Sequence, residues 1–268
     1  MGRWFAKFLS DSGHSIRITG RRTTALKRAS RDLGIPAIRY GTRCEWADSV
    51  ILAVPPDSVE GVVVEYDGLL RRDCLLVDVS SVKVPVLRFL RSQARPVLSI
   101  HPFFGPSIES LEGMSVAVVH PRRLSGRSRE IVQNLRRSGA RIVRCTPELH
   151  DRAVSYTLAL PHLLGAIYAS SLLRSGLRPH MLAMLGGTSF RRMYSLARSV
   201  GYENPSVYAS IQLAHPSYPR TLERALSLLL SVQRELSSGE TRAFLRLLDD
   251  ASDLASVEGI GLGKSFKL

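Results

Sequence analysis

Up to residue 145 the chain alternates short runs of Val, Ile and Leu with stretches of helical spacing, and that alternation leaves few folds open to it. Ser15–Thr19 (SIRIT), Ala37–Tyr40, Ser49–Val54 (SVILAV), Cys74–Val79 (CLLVDV), Pro96–Ile100, Ser115–Val119 and Ala140–Cys145 read as strands. Met1–Leu9, Thr23–Leu33 (closed by Gly34), Val84–Ala94 and Gly126–Ser138 read as helices. Continuous apolar runs of this length suit strands buried on both faces, so the expected architecture is α/β, a mostly parallel sheet wrapped by helices. After Pro147 the spacing stays helical to about Ser256, and glycines and prolines punctuate it into about five helices. Two domains are therefore expected, an α/β domain over residues 1–146 and a helical one over 147–268, with the stretch from Gly259 as a loose tail.

With 268 residues, 44% of them hydrophobic, the chain can bury a real core. No uninterrupted apolar run reaches the roughly 18 residues of a membrane span, and no signal-peptide pattern opens the chain. Cys44, Cys74 and Cys145 form no C-x-x-C pair and read as reduced thiols of a cytoplasmic protein. The net charge of +14 raises the question of a nucleic-acid partner. However, the 37 basic residues are spread along the whole chain without a block of like charge or a nucleic-acid module, so neither nucleic acid nor membrane is expected as a partner.

A dinucleotide-binding unit opens with a strand, a glycine-rich turn and a helix whose N-terminus receives the pyrophosphate. Here Met1–Leu9 reads as that helix already under way. The first strand and the first two glycines of G-x-G-x-x-G are absent, and Gly2 stands as the third. A misassigned start or a real truncation would each produce this. The unit's second strand ends in Thr19-Gly20-Arg21-Arg22-Thr23, with no acid for a ribose hydroxyl and two guanidiniums suited to a phosphate. That favours NADP, with NAD as the alternative. Arg21 and Arg22 as plain solvated residues is the competing reading. Val54 and Pro55, at the end of the SVILAV strand, are assigned to the same cofactor.

Three ordered segments carry the chemistry. They are Asp78-Val79-Ser80-Ser81-Val82-Lys83, Ser99-Ile100-His101-Pro102-Phe103-Phe104-Gly105-Pro106, and a set in the helical half. That set comprises Leu160-Pro161-His162, Gly187-Thr188-Ser189-Phe190-Arg191 and Asn204-Pro205-Ser206-Val207-Tyr208. Their order and spacing resemble the prephenate dehydrogenase family, its archaeal-type members above all, from Gly2 to about Ser256. The resemblance implies a Rossmann-like domain followed by a helical dimerisation domain, a homodimer, and hydride transfer from prephenate to NAD(P) with loss of CO2.

It implies His101 as the catalytic base, with Ser81 bonding both the histidine and the substrate hydroxyl. A neutral imidazole is suited to that task near neutral pH. It implies Arg191 (with Arg192 as fallback) and His162 on the anionic substrate, and Lys83 toward the nicotinamide. Many bacterial relatives carry an arginine a few residues later, where this chain reads Tyr194-Ser195-Leu196-Ala197. His150-Asp151 matches a family pair and is expected to cap the first long helix. Taken alone, Ser81 reads as a helix cap, Lys83 as a surface residue and His162 as a core histidine.

Arogenate as the substrate is one alternative. A truncated, non-catalytic dimer that binds or regulates is another. A β-hydroxyacid dehydrogenase is disfavoured, because that family relies on a lysine in its helical domain and none occurs between Lys83 and Lys264.

Overall fold

The structure, a computed structural model, describes residues 1–119, 124, 126–202 and 205–257. Asn204 and the stretch from Gly259 lie outside the described residues. Two helices, α1 (Gly2–Asp11) and α2 (Thr23–Leu33), precede a sheet of five strands. The strands are β1 (Ser49–Leu52), β2 (Leu75–Asp78), β3 (Val97–Pro102), β4 (Ser115–Val119) and β5 (Arg141–Cys145), adjacent in chain order. The β1–β2, β2–β3 and β4–β5 pairs are parallel, and each is bridged by a helix: α3 (Val59–Tyr66), α4 (Val84–Ser92) and α5 (Gly126–Arg137). The β3–β4 pair is antiparallel and needs no crossover. Gly34 ends α2 in the left-handed conformation at φ 66°, as its position just past the helical run predicts.

Side chains alternate across the sheet with period two. Leu75, Val77, Leu98, Ile100, Val116 and Val118 pack against Phe5 of α1 and Ile131, Val132 and Leu135 of α5. Leu52 and Leu76 pack on the opposite face against Val59 and Val63 of α3 and Val86 and Leu90 of α4. Ala117 and Val119 meet Leu87 of α4 there as well. Two covered faces account for the continuous apolar runs. The same alternation assigns Ser99 and His101 to the α4 face, which is how β3 delivers its polar residues to one place.

Ser15–Thr19 and Ala37–Tyr40 are not strands of this sheet. They share one parallel bridge, Ile18 with Ala37, supported by bonds from Ile18 N to Pro36 O (3.0 Å) and Ile38 N to Ile18 O (2.9 Å). Two short segments with no third strand hydrogen-bonded beside them make too few bonds to propagate a ladder.

The helical half holds seven helices among the described residues: α6 (Pro147–Val154), α7 (Leu160–Arg174), α8 (Pro179–Leu185), α9 (Thr188–Tyr202), α10 (Pro205–Ala214), α11 (Tyr218–Ser237) and α12 (Arg242–Ser256). Thr146 caps α6 by accepting the Leu149 amide at 3.2 Å. A π-helical turn, Ser155–Ala159, joins α6 to α7. Pro161 offers no amide and its ring crowds the carbonyl four residues back, so a widened turn keeps the helix continuous. The resulting stretch, Pro147–Arg174, is long and apolar enough by length and composition to cross a membrane, although polar residues interrupt it. By packing, the chain divides at Pro216/Ser217 into the compact units Met1–Pro216 and Ser217–Leu268. The physical reason lies in polar ties such as Ser210 Oγ donating to Asp57 Oδ2 (2.7 Å), which hold α10 to the β1–α3 connection.

Candidate active site

The site grows from the carboxyl end of β2. Asp78, Lys83 and Ser99 are wholly buried. Lys83 Nζ donates to Asp78 Oδ2 (2.7 Å) and to the Ile100 carbonyl (2.7 Å). Ser99 Oγ donates to Asp78 Oδ2 (2.7 Å), and the Ser80 amide to Asp78 Oδ1 (2.9 Å). Burial lowers the proton affinity of Lys83, and the Asp78 charge and hydrogen bond oppose that. The Lys83 ammonium, expected toward the nicotinamide, is here turned inward to Asp78 and the Ile100 carbonyl. An ammonium enclosed by protein is anchored to the best acceptors nearby, and here it clamps the β2–α4 turn to β3.

His101 follows on β3, 5% exposed. Its Nδ1 lies 2.9 Å from His150 Nε2, and His150 Nδ1 lies 2.8 Å from Asp151 Oδ1. Asp151 also accepts the Lys83 amide (Oδ1, 2.8 Å) and the Val84 amide (Oδ2, 2.8 Å). The His150-Asp151 pair thus caps α4 from across the fold, not its own long helix. Phe103 lies over the His101 ring at 4.6 Å between centroids. Burial above all, then the charges of His150, Lys83 and His215, hold His101 well below the ordinary histidine value of 6.5. Such a ring is neutral near neutral pH and free to accept a proton.

The other expected residues are less closely gathered. Ser81 is half-buried in the β2–α4 turn, and among the described residues no hydrogen bond joins it to His101. His162, on α7, packs edge-on against Tyr208 of α10 at 4.2 Å. Its Nδ1 is buried without a partner among the described residues, and burial pulls its pKa down to about 4. Arg191 and Arg192 are exposed on α9.

Sequence reasoning missed His215. It is 2% exposed, and both its ring nitrogens are buried without a partner among the described residues. Its proton affinity is lowered by burial first, with Asp151 raising it and His150 lowering it. No local motif announces it. A single histidine after a helix becomes meaningful only when the fold sets it beside the other two.

On the cofactor side, a Cβ on Gly2 would stand 3.3 Å from the Ala53 Cβ, so α1 approaches the end of β1 as closely as a glycine allows. That close helix–strand packing is what a dinucleotide fold requires of its third glycine. Among the described residues the N-cap of α1, Met1, makes no side-chain cap hydrogen bond, and a helix N-terminus favours an anion. Val54 and Pro55 are half-buried just beyond β1. Arg21 is exposed but drawn to Tyr40, 3.4 Å from its hydroxyl, and Tyr40 in turn donates to Glu65 (2.7 Å). Arg22 is exposed and makes no ion pair among the described residues. The residues present fit a dinucleotide.

His101, His150, His162 and His215 share one consequence. In each, burial lowers proton affinity below the ordinary 6.5, so the unfolded chain takes up protons at a pH where the native chain does not. The stability tied to their neutral forms is full above about pH 6.5 and is lost as pH falls below that value. Urea midpoints are expected to drop between pH 7.5 and pH 5. A flat or rising profile over that interval would contradict the burial of these rings.

A mostly parallel sheet that presents a buried imidazole at a strand's carboxyl end, with a glycine-spaced helix beside it, defines a dinucleotide-dependent oxidoreductase fold. Residues 5–123 match the family model for the prephenate dehydrogenase nucleotide-binding domain, and residues 146–250 that for the prephenate dehydrogenase dimerization domain. The chain belongs to the prephenate dehydrogenase family.

It is 24% identical over 258 residues to the probable arogenate/prephenate dehydrogenase of Methanocaldococcus jannaschii, covering 94% of this chain and 58% of that one. It is 26% identical over 246 residues to the T-protein of Enterobacter agglomerans, covering 91% and 62% respectively. The chain thus spans only 58–62% of the length of these two relatives. The crystal structure of Aquifex aeolicus prephenate dehydrogenase in complex with hydroxyphenyl propionate and NAD+ superposes with a TM-score of 0.71 at 21% identity, covering 96% of this chain and 95% of that one.

Proposed function

We propose that this chain oxidises prephenate, with transfer of hydride to NADP (NAD as the alternative), to give 4-hydroxyphenylpyruvate and CO2. The observation that carries the proposal is His101, a buried neutral imidazole at the carboxyl end of β3. In this reading His101 accepts the proton of the ring hydroxyl as the carbinol carbon gives up hydride. The carboxylate on the opposite ring carbon then leaves as CO2, its bonding electrons completing the aromatic ring and returning negative charge to the ring oxygen, which takes back the proton held by His101. A bound nicotinamide supplies the hydride acceptor. Gly2, the α1 amides, Val54 and Pro55 would hold its dinucleotide, and Arg22, less encumbered than Arg21, would take a 2′-phosphate.

Prephenate is a dianion, and Arg191, with Arg192 beside it, supplies fixed positive charge. Ser81 and His162 complete the substrate side, and His215 joins them as a buried polar group without a partner among the described residues. The name of the Methanocaldococcus relative keeps arogenate open as the substrate, since it differs from prephenate only in the side chain.

A homodimer belongs to the same proposal. The family model over residues 146–250 is that of a dimerization domain, and Leu173, Leu177, Met184 and Leu185 are all more than half exposed, Leu185 at 81%. A second copy would cover this apolar surface, and the reduced thiols fit a cytoplasmic setting.

The test crosses prephenate and arogenate with NADP and NAD and follows cofactor reduction. Reduction is expected with prephenate, faster with NADP. A chain that binds cofactor yet reduces it with neither substrate would overturn the reading.

A further inference from the structure

The chain of bonds behind His101 fixes more than its position. Both oxygens of Asp151 already accept backbone amides, from Lys83 and Val84, and the residue is 0% exposed. Toward His150 Nδ1, 2.8 Å away, it remains an acceptor, so that nitrogen must carry the proton. A neutral imidazole has one N–H, so His150 Nε2 presents a lone pair. His101 Nδ1, 2.9 Å from that lone pair, must then be the donor. The only ring nitrogen of His101 left unprotonated is Nε2.

We infer that the buried Asp151–His150 pair is a positioning device that holds His101 in its Nδ1–H tautomer, so that Nε2 is the atom accepting the substrate's hydroxyl proton. The inference rests on the dehydrogenase reading above and adds two positioning residues to it.

Burial first, then the charges of His150, Lys83 and His215, disfavour a second proton on His101. At His150 burial and Lys83 outweigh the opposing pull of Asp151 and Asp78, so that ring too is held below its ordinary value. Phe103 packs on both rings, 4.6 Å from His101 and 6.0 Å from His150, which limits ring rotation. Asp151 couples the chain to α4 through its two amide bonds, so the tautomer is set by the same contacts that assemble the β2–α4 turn.

The test is ¹⁵N NMR of the histidine-labelled full chain, which separates protonated from unprotonated ring nitrogens, together with steady-state kinetics. Wild type is expected to carry the His101 proton on Nδ1. His150→Gln, whose side-chain carbonyl still accepts, should keep that tautomer and most of kcat. His150→Leu should release it and lower kcat by up to about 10⁴-fold, the scale set by tautomer errors in hydrolase triads, while KM and cofactor affinity barely change. A wild-type His101 protonated at Nε2 overturns the inference, as does a His150→Leu variant that leaves both tautomer and kcat unchanged. A wild-type chain with the expected tautomer that reduces no cofactor with either substrate upholds the tautomer assignment and sinks the dehydrogenase reading instead.

Discussion

Replacing His101 with Asn is expected to lower kcat by about 10²–10⁴-fold, the usual contribution of a positioned general base, while cofactor affinity stays nearly unchanged. Asparagine keeps a side-chain amide that can donate to His150 Nε2, so the buried chain behind it retains its partner. What it lacks is a titrating lone pair for the substrate hydroxyl. The residues assigned to the dinucleotide (Gly2, Val54 and Pro55) lie around the end of β1, while His101 lies on β3, with β2 between them. Steady-state kinetics with a cofactor titration checks both halves of this expectation. Turnover that survives the substitution would remove His101 from the centre of the proposed mechanism.

The second large effect concerns folding. Lys83→Met leaves the wholly buried Asp78 without its cation and the Ile100 carbonyl without its donor. Breaking one side of a buried pair costs about 3–5 kcal/mol, because a desolvated charge remains, whereas removing both partners is often near neutral. Adding Asp78→Asn to Lys83→Met is therefore expected to recover much of the loss, since the Asn carbonyl can still accept the Ser80 amide while its NH2 donates to the Ser99 hydroxyl, which turns to accept. Urea unfolding of the single and double variants measures this. A double variant no more stable than Lys83→Met alone would argue that the pair is not the reason for the loss. The single variant should also lose turnover at temperatures where it remains folded, since Ile100 precedes His101, the proposed base, in β3.

Much of the architecture could be read from the pattern of residues. Ser115–Val119 and Thr23–Leu33 match the expected bounds, and Val84, Gly126 and Pro147 begin helices where their local chemistry says they should. The expectation failed at Ser15–Thr19 and Ala37–Tyr40, whose β-rich composition is a local property while a ladder depends on neighbours. It also undercounted the helices after Pro147, where the π turn at Ser155–Ala159 and the short α8 subdivide one apolar stretch. In the site, His101 was legible from its Pro-Phe-Phe-Gly-Pro setting. Lys83 and His150-Asp151 were legible as residues worth naming, but their partners were not.

By itself the sequence determined the class of fold and the family, and it singled out His101 as the base of the proposed reaction, because periodicity and ordered motifs are properties of the chain read locally. The tertiary structure decided how that base is supported. It turned Lys83 inward to Asp78, sent Asp151 across to the start of α4, and brought His150 and His215 to His101 from α6 and from the end of α10. The hydrogen bonds among them join residues 5 to 68 positions apart, and no spacing rule encodes them. Burial supplies the rest, since an imidazole is kept neutral by the surroundings that exclude water from it, and only the assembled fold creates those surroundings.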